Sequence, residues 1–450
     1  MEQRIAKDMT TGPVLKQLVR FALPIALANA LQAVYSLIDM IVVGRFVGPE
    51  GLSAVGIGGQ LLTLYLSVGM GLGLGSQILL SQQVGAQDRD LQSTIGTLFT
   101  MELSAGVVFG VAGILLCRPM LHLLNTPPES YANAIAYTLV ASCGMVFIYG
   151  YNAVCGVLRG MGESKLPMIF IAIATVVNLG LDYLFVAVFR MSAGGAALAT
   201  VIAQGVSFAI AIVYLYKNRE RFGFDFRLRS FIPRKKRLIP ILRIGSMYVV
   251  QMIMITGSMM FVNAQVNIYG VTASAVDSIG VKLNSLVHIV VGALSAAGGA
   301  VVGQCFGARK YDRIKECFRS CLLLSMGFMV ILVAAYLLFP RQIFSLFSSD
   351  EAVLAMAPGF MLIAAVMDAS MFTMTAPFAV VDGVGNATLG LISSILDGVV
   401  ARIGLCLILG RLLGLHGFWW GNALAGFVST LITGIYYFSG KWKYRKSLLE

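Results

Sequence analysis

Residues 21–48 read FALPIALANALQAVYSLIDMIVVGRFVG. Between Arg20 and Arg45 the only acidic or basic residue is Asp39. At 1.5 Å per residue a helix over this run reaches about 36 Å, beyond the ~30 Å hydrocarbon core of a bilayer. Eleven further apolar runs of similar length follow. The expected spans are 18–43, 53–80, 93–116, 131–157, 166–188 and 194–216, then 240–266, 273–303, 318–339, 354–381, 388–410 and 415–438. The fold class expected is an all-α membrane protein of about twelve transmembrane helices.

Composition agrees. The 450 residues are 58% hydrophobic and 12% charged, with a mean hydropathy of +0.84. A soluble chain carries about 25% charged residues to solvate its surface. A net charge of +12 would suit nucleic acid if it were spread over a folded surface, but here the basic residues sit in short clusters between apolar runs. That is the imprint of membrane topology. One set of loops holds Arg4, Lys7, Lys16 and Arg20, then Arg89, Arg159 and Lys165, the 217–237 segment, Arg309 to Arg319 and Lys441 to Lys446. The opposite set holds only Arg45, Arg118, Arg190, Arg341 and Arg411. Positive loops stay inside, so both termini and residues 217–237 are expected on the cytoplasmic face of a prokaryotic inner membrane. The basic, amphipathic loop RERFGFDFRLRSFIPRKKR reads as a topology anchor on anionic lipid.

The chain also repeats itself. SAV at 53–55 answers SAV at 274–276, QVGAQ at 83–87 answers QCFGAR at 304–309, and LRGMGESKLPM at 158–168 answers VDGVGNATLGL at 381–391. Gly195 lines up with Gly417. Six helices per copy make both copies enter the membrane in the same direction, a parallel repeat with a substrate path between lobes. The expected organisation is an N-lobe over 1–216, a basic linker over 217–239 and a C-lobe over 240–450. The glycine runs GMGLGLGS (69–76) and GALSAAGGAVVG (292–303) follow no soluble strand, so close helix packing explains them better than a nucleotide loop.

Ionisable groups at lipid depth are expensive and default to functional candidates. The first lobe places Asp39, Glu102 and Asp182 in its spans with no Lys or Arg to pair with them. The second has Asp368 and Asp397 together with Lys282 and Arg402. An unpaired buried carboxylate takes a proton or recruits a cation, so the coupling site belongs in the first lobe. Asp39 lies roughly 9 Å along its helix from Arg45, Asp182 roughly 12 Å from Arg190, and Thr200 roughly 15 Å from Arg190. Asn178, one turn before Asp182, shares its face. Two carboxylates, an amide and a hydroxyl form an all-oxygen set for sodium, or a proton-sharing pair. Tyr35 sits one turn before Asp39, within reach of its carboxylate. Pro24 interrupts the first helix ladder and bends it, as a hinge or as a static kink. In the second lobe Asp368, Lys282 and Arg402 are candidates, with a carboxylate–base pair expected among these charges. The seven cysteines, Cys317 and Cys321 included, read as packing residues rather than ligands.

FALPIALANALQAVYSLIDMIVVGRFVG, QVGAQD and VLRGMGESKLP, with their echoes QCFGARK and VDGVGNA, resemble the MATE (multidrug and toxic compound extrusion) family over essentially the whole chain. Within it the chain is similar to the prokaryotic DinF-like branch, whose first-lobe cation site matches Asp39, Asn178, Asp182 and Thr200, with Pro24 and Tyr35 also in place. The resemblance implies two six-helix bundles, alternating access, and export of cationic or amphipathic small molecules in exchange for protons or sodium ions. It implies no cofactor, no nucleic-acid partner, no enzymatic activity and a monomer in the lipid. The NorM-like branch carries an acid in its seventh helix. Here 240–266 has none, which leaves Asp368 as the second-lobe candidate. The alternative is a lipid-linked oligosaccharide flippase, but a diphosphate would call for several basic residues in the cavity. Away from the span ends, only Lys282 and Arg402 lie inside spans. His122, His288 and His416 are too far apart for a catalytic cluster, and no repeated filter ring supports a channel.

The topology is open to a direct check. With nine Lys or Arg between 217 and 237, a cysteine placed there in a cysteine-free background should resist impermeant thiol reagents in intact cells. Ready labelling from outside would reverse the orientation.

Overall fold

The computed structural model describes residues 7–88 and 90–449. Arg4 and Arg89, two of the basic residues assigned to the cytoplasmic loops, lie outside them. Among the described residues the chain is helical without strands. Its membrane-length helices are α1 (Val14–Phe46), α2 (Pro49–Gly85), α3 (Leu91–Leu123), α4 (Pro128–Cys143 and Met145–Gly160), α5 (Lys165–Val188), α6 (Ser192–Lys217), α7 (Lys235–Asn267), α8 (Val271–Gly307), α9 (Tyr311–Leu338), α10 (Glu351–Gly383), α11 (Ala387–Leu413) and α12 (Leu415–Phe438). Ten are long and apolar enough to cross a bilayer by themselves, and α4 makes eleven as one bent span. In α12, Trp419, Trp420 and Asn422 dilute the apolar character, yet its 24 residues reach about 36 Å.

Two compact units emerge, one built on Leu23–Ser246 and the other on Met9–Ala22 and Met247–Glu450. The changeover within α1 falls just before Pro24, and that within α7 falls at the matching place of the second copy. The repeat extends to the backbone. Gly48 and Gly270, which precede α2 and α8, both have left-handed φ (88° and 99°), a conformation that glycine adopts without a Cβ penalty. After the same two helices Gln87 and Arg309 take φ of 54° and 57°. Both helices are 37 residues long.

The copies also differ. The span expected at 131–157 is bent by 48° at Gly144, where a Cβ would stand 2.3 Å from Val201 of α6. Its counterpart α10 runs unbroken for 33 residues. Within each unit small residues let helices touch backbone to backbone. A Cβ on Gly156 would lie 3.1 Å from the Gly73 carbonyl oxygen, and one on Gly298 would lie 2.7 Å from the Ala379 Cβ. This is the packing expected of the glycine runs. The seven cysteines are free thiols, six of them buried.

Part of the linker docks on the first unit. Phe222 and Phe224 are buried in the first unit's core, and Phe224 and Phe231 stack against Phe99 of α3. These aromatics are taken up by the protein's own core, while Leu228 and Ile232 of the same linker stay exposed. Gln92 Nε2 donates to Ser230 Oγ at 2.7 Å, and the Thr100 hydroxyl donates to the Phe231 carbonyl at 2.5 Å. Arg237, 5% exposed, donates to Asp88 Oδ2 at 2.9 Å and Asp90 Oδ2 at 3.4 Å. Partial burial raises the Asp88 pKa, but the Asp90 backbone N–H, the Gln83 amide and Arg237 outweigh it and hold this carboxyl below its ordinary value. Its contribution to stability is thus present above the unfolded carboxylate range and lost as pH falls through the folded value.

Gly96 is the tightest point of this dock, since a Cβ there would meet the Ser230 carbonyl oxygen at 1.7 Å. Gly96→Val should lift the linker, destabilising the first unit by about 1–3 kcal/mol through overpacking. Trypsin cleavage at Arg227 and Arg229 should accelerate relative to the wild type. An unchanged digestion rate and melting temperature would show that the linker is not held there.

Candidate functional site

Four expected residues of the first lobe come together. Asp39 on α1 is 6% exposed, and Asn178 and Asp182 on α5 are 1% and 0% exposed. The Thr200 hydroxyl of α6 donates to Asp39 Oδ2 at 3.4 Å. Asp39, Asn178 and Asp182 lie within electrostatic and side-chain reach of one another. Their location follows from local sequence: Asn178 and Asp182 sit one turn apart at the end of the regular part of α5, and the helix widens into a π turn over Tyr183–Val188. Such turns occur often at functional sites.

Tyr35 reaches the site by a different route from the one expected. Its hydroxyl donates to Thr200 Oγ1 at 2.7 Å, and Thr200 in turn faces Asp39. A tyrosine carries its oxygen beyond the short aspartate one turn on, so the neighbouring helix receives it.

The distinguishing feature is lack of partners. Both oxygens of Asp182, Asp39 Oδ1 and Asn178 Nδ2 are buried without a hydrogen bond, and among the described residues no basic side chain is paired with either acid. Leaving a buried carboxylate in this state is costly. A bound proton or hard cation relieves it, and the oxygen set of Asp39, Asp182, Thr200 and the Asn178 carbonyl suits either. No group of three or more His, Cys, Asp or Glu fit to hold a metal occurs among the described residues. A third unpartnered acid, Glu102 of α3, is fully buried against Gly73 of α2.

The second lobe resolves its charges differently. Arg402 and Asp397, both buried, pair at 3.2 Å. Ser429 of α12 donates to the other Asp397 oxygen at 2.9 Å. Asp397 lies in a second π turn, Ile395–Ala401, with Arg402 immediately after it, so widening of α11 brings the two together. Arg402 therefore has Asp397, not Asp368, as its partner. Asp368 accepts from Asn284 Nδ2 at 2.9 Å. Lys282 is exposed, 6.0 Å from the centre of the Phe347 ring, and belongs to no pair because it faces outward from α8.

Asn284 lines a cavity of about 290 Å³ within the second unit, shared with Asp277, His288, Phe360, Met367 and Trp419. Asp277 is the residue that attention to mid-bilayer acids passes over. It lies inside the expected eighth span and carries the same signal as the others, an acid in an apolar run, but near the span's end.

A model of the MatE family matches residues 24–184 and, a second time, residues 248–408, one match for each copy of the repeat. The chain is 29% identical over 448 residues to the probable multidrug resistance protein YpnP of Bacillus subtilis, covering 99% of each chain. It is 30% identical over 368 residues to YoeA of the same organism, covering 80% of each. A MOP superfamily transporter from Pyrococcus furiosus, 22% identical, has the same fold with a TM-score of 0.91 over 99% of this chain and 100% of that one. The doubled family match and the 30% identical relative agree with the two six-helix units and their buried acids: this chain belongs to the MatE family of multidrug transporters.

Proposed function

We propose that this protein exports cationic or amphipathic small molecules from a prokaryotic cell, in exchange for protons or sodium ions bound at Asp39, Asn178, Asp182 and Thr200. The observation that carries this reading is the Asp39–Asp182 pair, two buried carboxylates with three oxygens lacking any protein partner. Two neighbouring acids without a base attract one monovalent cation and remain charged enough to repel nothing of that sign. The names of the Bacillus subtilis relatives, probable multidrug resistance proteins, support the substrate class. The flippase alternative has less support, since the buried Arg402 is already neutralised by Asp397.

The cycle is electrostatic. With the pair charged, the site draws a proton or sodium ion. Its arrival neutralises part of the layer between α1, α5 and α6 and changes the relative stability of inward-open and outward-open packings. Pro24, at the point where α1 passes from one compact unit to the other, is the position at which the helix would yield. Asp368, held by Asn284, remains the second-lobe candidate for ion coupling. The protein acts in the inner membrane as a monomer with both termini cytoplasmic.

In proteoliposomes, Asp39→Asn should reduce gradient-driven drug efflux to background, while insertion and folding persist because shape and hydrogen-bonding capacity are kept. Thr200→Ala separates the ions. Under a pH gradient without sodium it should be mild, because a proton needs only the carboxylates. Under a sodium gradient it should raise the sodium requirement about 10-fold or more, as loss of a ligand or its support does. Normal efflux from the Asp39→Asn/Asp182→Asn double variant under either gradient would overturn the assignment.

A further inference from the structure

The second-lobe cavity presents a consistent chemistry that the coupling site does not use. Trp419, 3% exposed, donates its indole N–H to Asp277 Oδ1 at 3.1 Å, which fixes the carboxylate. Oδ2 has no hydrogen bond among the described residues. Asn284 commits its amide N–H to Asp368, leaving its carbonyl oxygen available. Asn422 does the same toward the Met367 sulfur at 3.4 Å, and its own carbonyl oxygen is buried without a partner. These three leftover atoms, Asp277 Oδ2 and the Asn284 and Asn422 carbonyl oxygens, are acceptors, and the wall also carries Thr256, Asn263 and Ser285, the Ser285 hydroxyl being spent on the Val281 carbonyl. The walls between them are ring faces and thioethers: Phe360 and Trp419, 4.9 Å apart edge-to-face, with Met259, Met260 and Met367. His288 also faces the space, and the nearby Arg402 is occupied by Asp397. The charges bordering the cavity are thus dominated by acid.

We propose that this cavity is a binding site for a small organic monocation, an ammonium or alkylated ammonium on an aromatic or aliphatic body, with Asp277 as its counter-charge. The proposal deepens the export reading by giving the transported cation a place separate from the coupling acids. A bare metal ion would leave the aromatic and methionine walls unused, whereas an organic cation satisfies both halves of the lining: its charge meets the acceptor oxygens and its body meets the rings and polarizable sulfurs. A volume of about 290 Å³ admits a ligand of one ring and a trimethylammonium group. Trp419 positions Asp277 and supplies a π face next to it. Gly280 keeps the α8 wall low, because a Cβ there would meet the Phe360 ring at 2.2 Å.

The test is equilibrium binding to the purified full-length protein in detergent, with no gradient, so that its outcome is independent of ion coupling. Isothermal titration with phenyltrimethylammonium should show saturable binding, and benzenesulfonate, similar in size but anionic, should show none. Asp277→Asn should weaken cation binding about tenfold or more, and Trp419→Phe should weaken it less. Ala364→Phe, which fills the cavity and leaves Asp277 in place, should abolish binding, so the result does not rest on one variant's folding. Wild-type affinity in both Asp277→Asn and Ala364→Phe would overturn the proposal. So would equal binding of the anion, or binding lost only in Asp39→Asn/Asp182→Asn, which would assign the cation to the first lobe. Failure of efflux to depend on Asp39 would instead count against the coupling site and leave the cavity's binding intact.

Discussion

A hydrocarbon interior offers no hydrogen bonds, so each polar group the chain carries into it must be satisfied by the chain itself. Most of this protein obeys that constraint by local means. Ser76 and Ser81 return their hydroxyls to carbonyls one turn back in α2, and Thr97 and Thr433 do the same in α3 and α12. Glycines at helix crossings then allow the backbones close enough for dispersion to hold them. Against that background Asp182 and Glu102, with neither carboxylate oxygen hydrogen-bonded, and Asp39, with only Oδ2 bonded, stand out among the buried acids.

The repeat makes the contrast sharper. Both lobes place a π turn in the fifth helix of their six, and in both a hydroxyl from the sixth helix donates to a carboxylate: Ser429 to Asp397 within the turn, and Thr200 to Asp39 of α1. In the second lobe that carboxylate, Asp397, has Arg402 within the same helix and Ser429 across from it, so both its oxygens are bonded. In the first lobe the corresponding region holds Asn178 and Asp182 with Thr200 opposite, and the fourth participant is Asp39, a second acid. One scaffold therefore supports a charge-paired cluster in one copy and, in the other, a cluster of two acids with no basic partner among the described residues. The same scaffold carries both clusters, and a few side chains decide whether the carboxylate has a basic partner.

Much of this was legible beforehand. Apolar run lengths gave the span count, and Lys and Arg placement gave an orientation. In-register matches such as QVGAQ with QCFGAR revealed two copies, later matched separately by the same family model. The unpaired acids of the first lobe were visible as residue types in the wrong solvent. Less legible were the partners. Arg402 could have met Asp368 or Asp397 by depth alone, and the π turn that brings it to Asp397 has no signature in composition. The linker reads as a lipid anchor, and nothing in its composition announces that Gly96 leaves a seat for Ser230 and its neighbours.

The sequence by itself determined which segments are apolar enough to span a membrane and that the chain is duplicated, because hydropathy and repeat register are properties of the order of residues. Tertiary structure alone decided which buried polar groups are satisfied. That outcome depends on side-chain reach across helices distant in the chain. Tyr35 meets Thr200 across 165 positions, and Trp419 meets Asp277 across 142. Hydrogen bonds act over about 3 Å, and residue order carries no information at that resolution until the helices have packed.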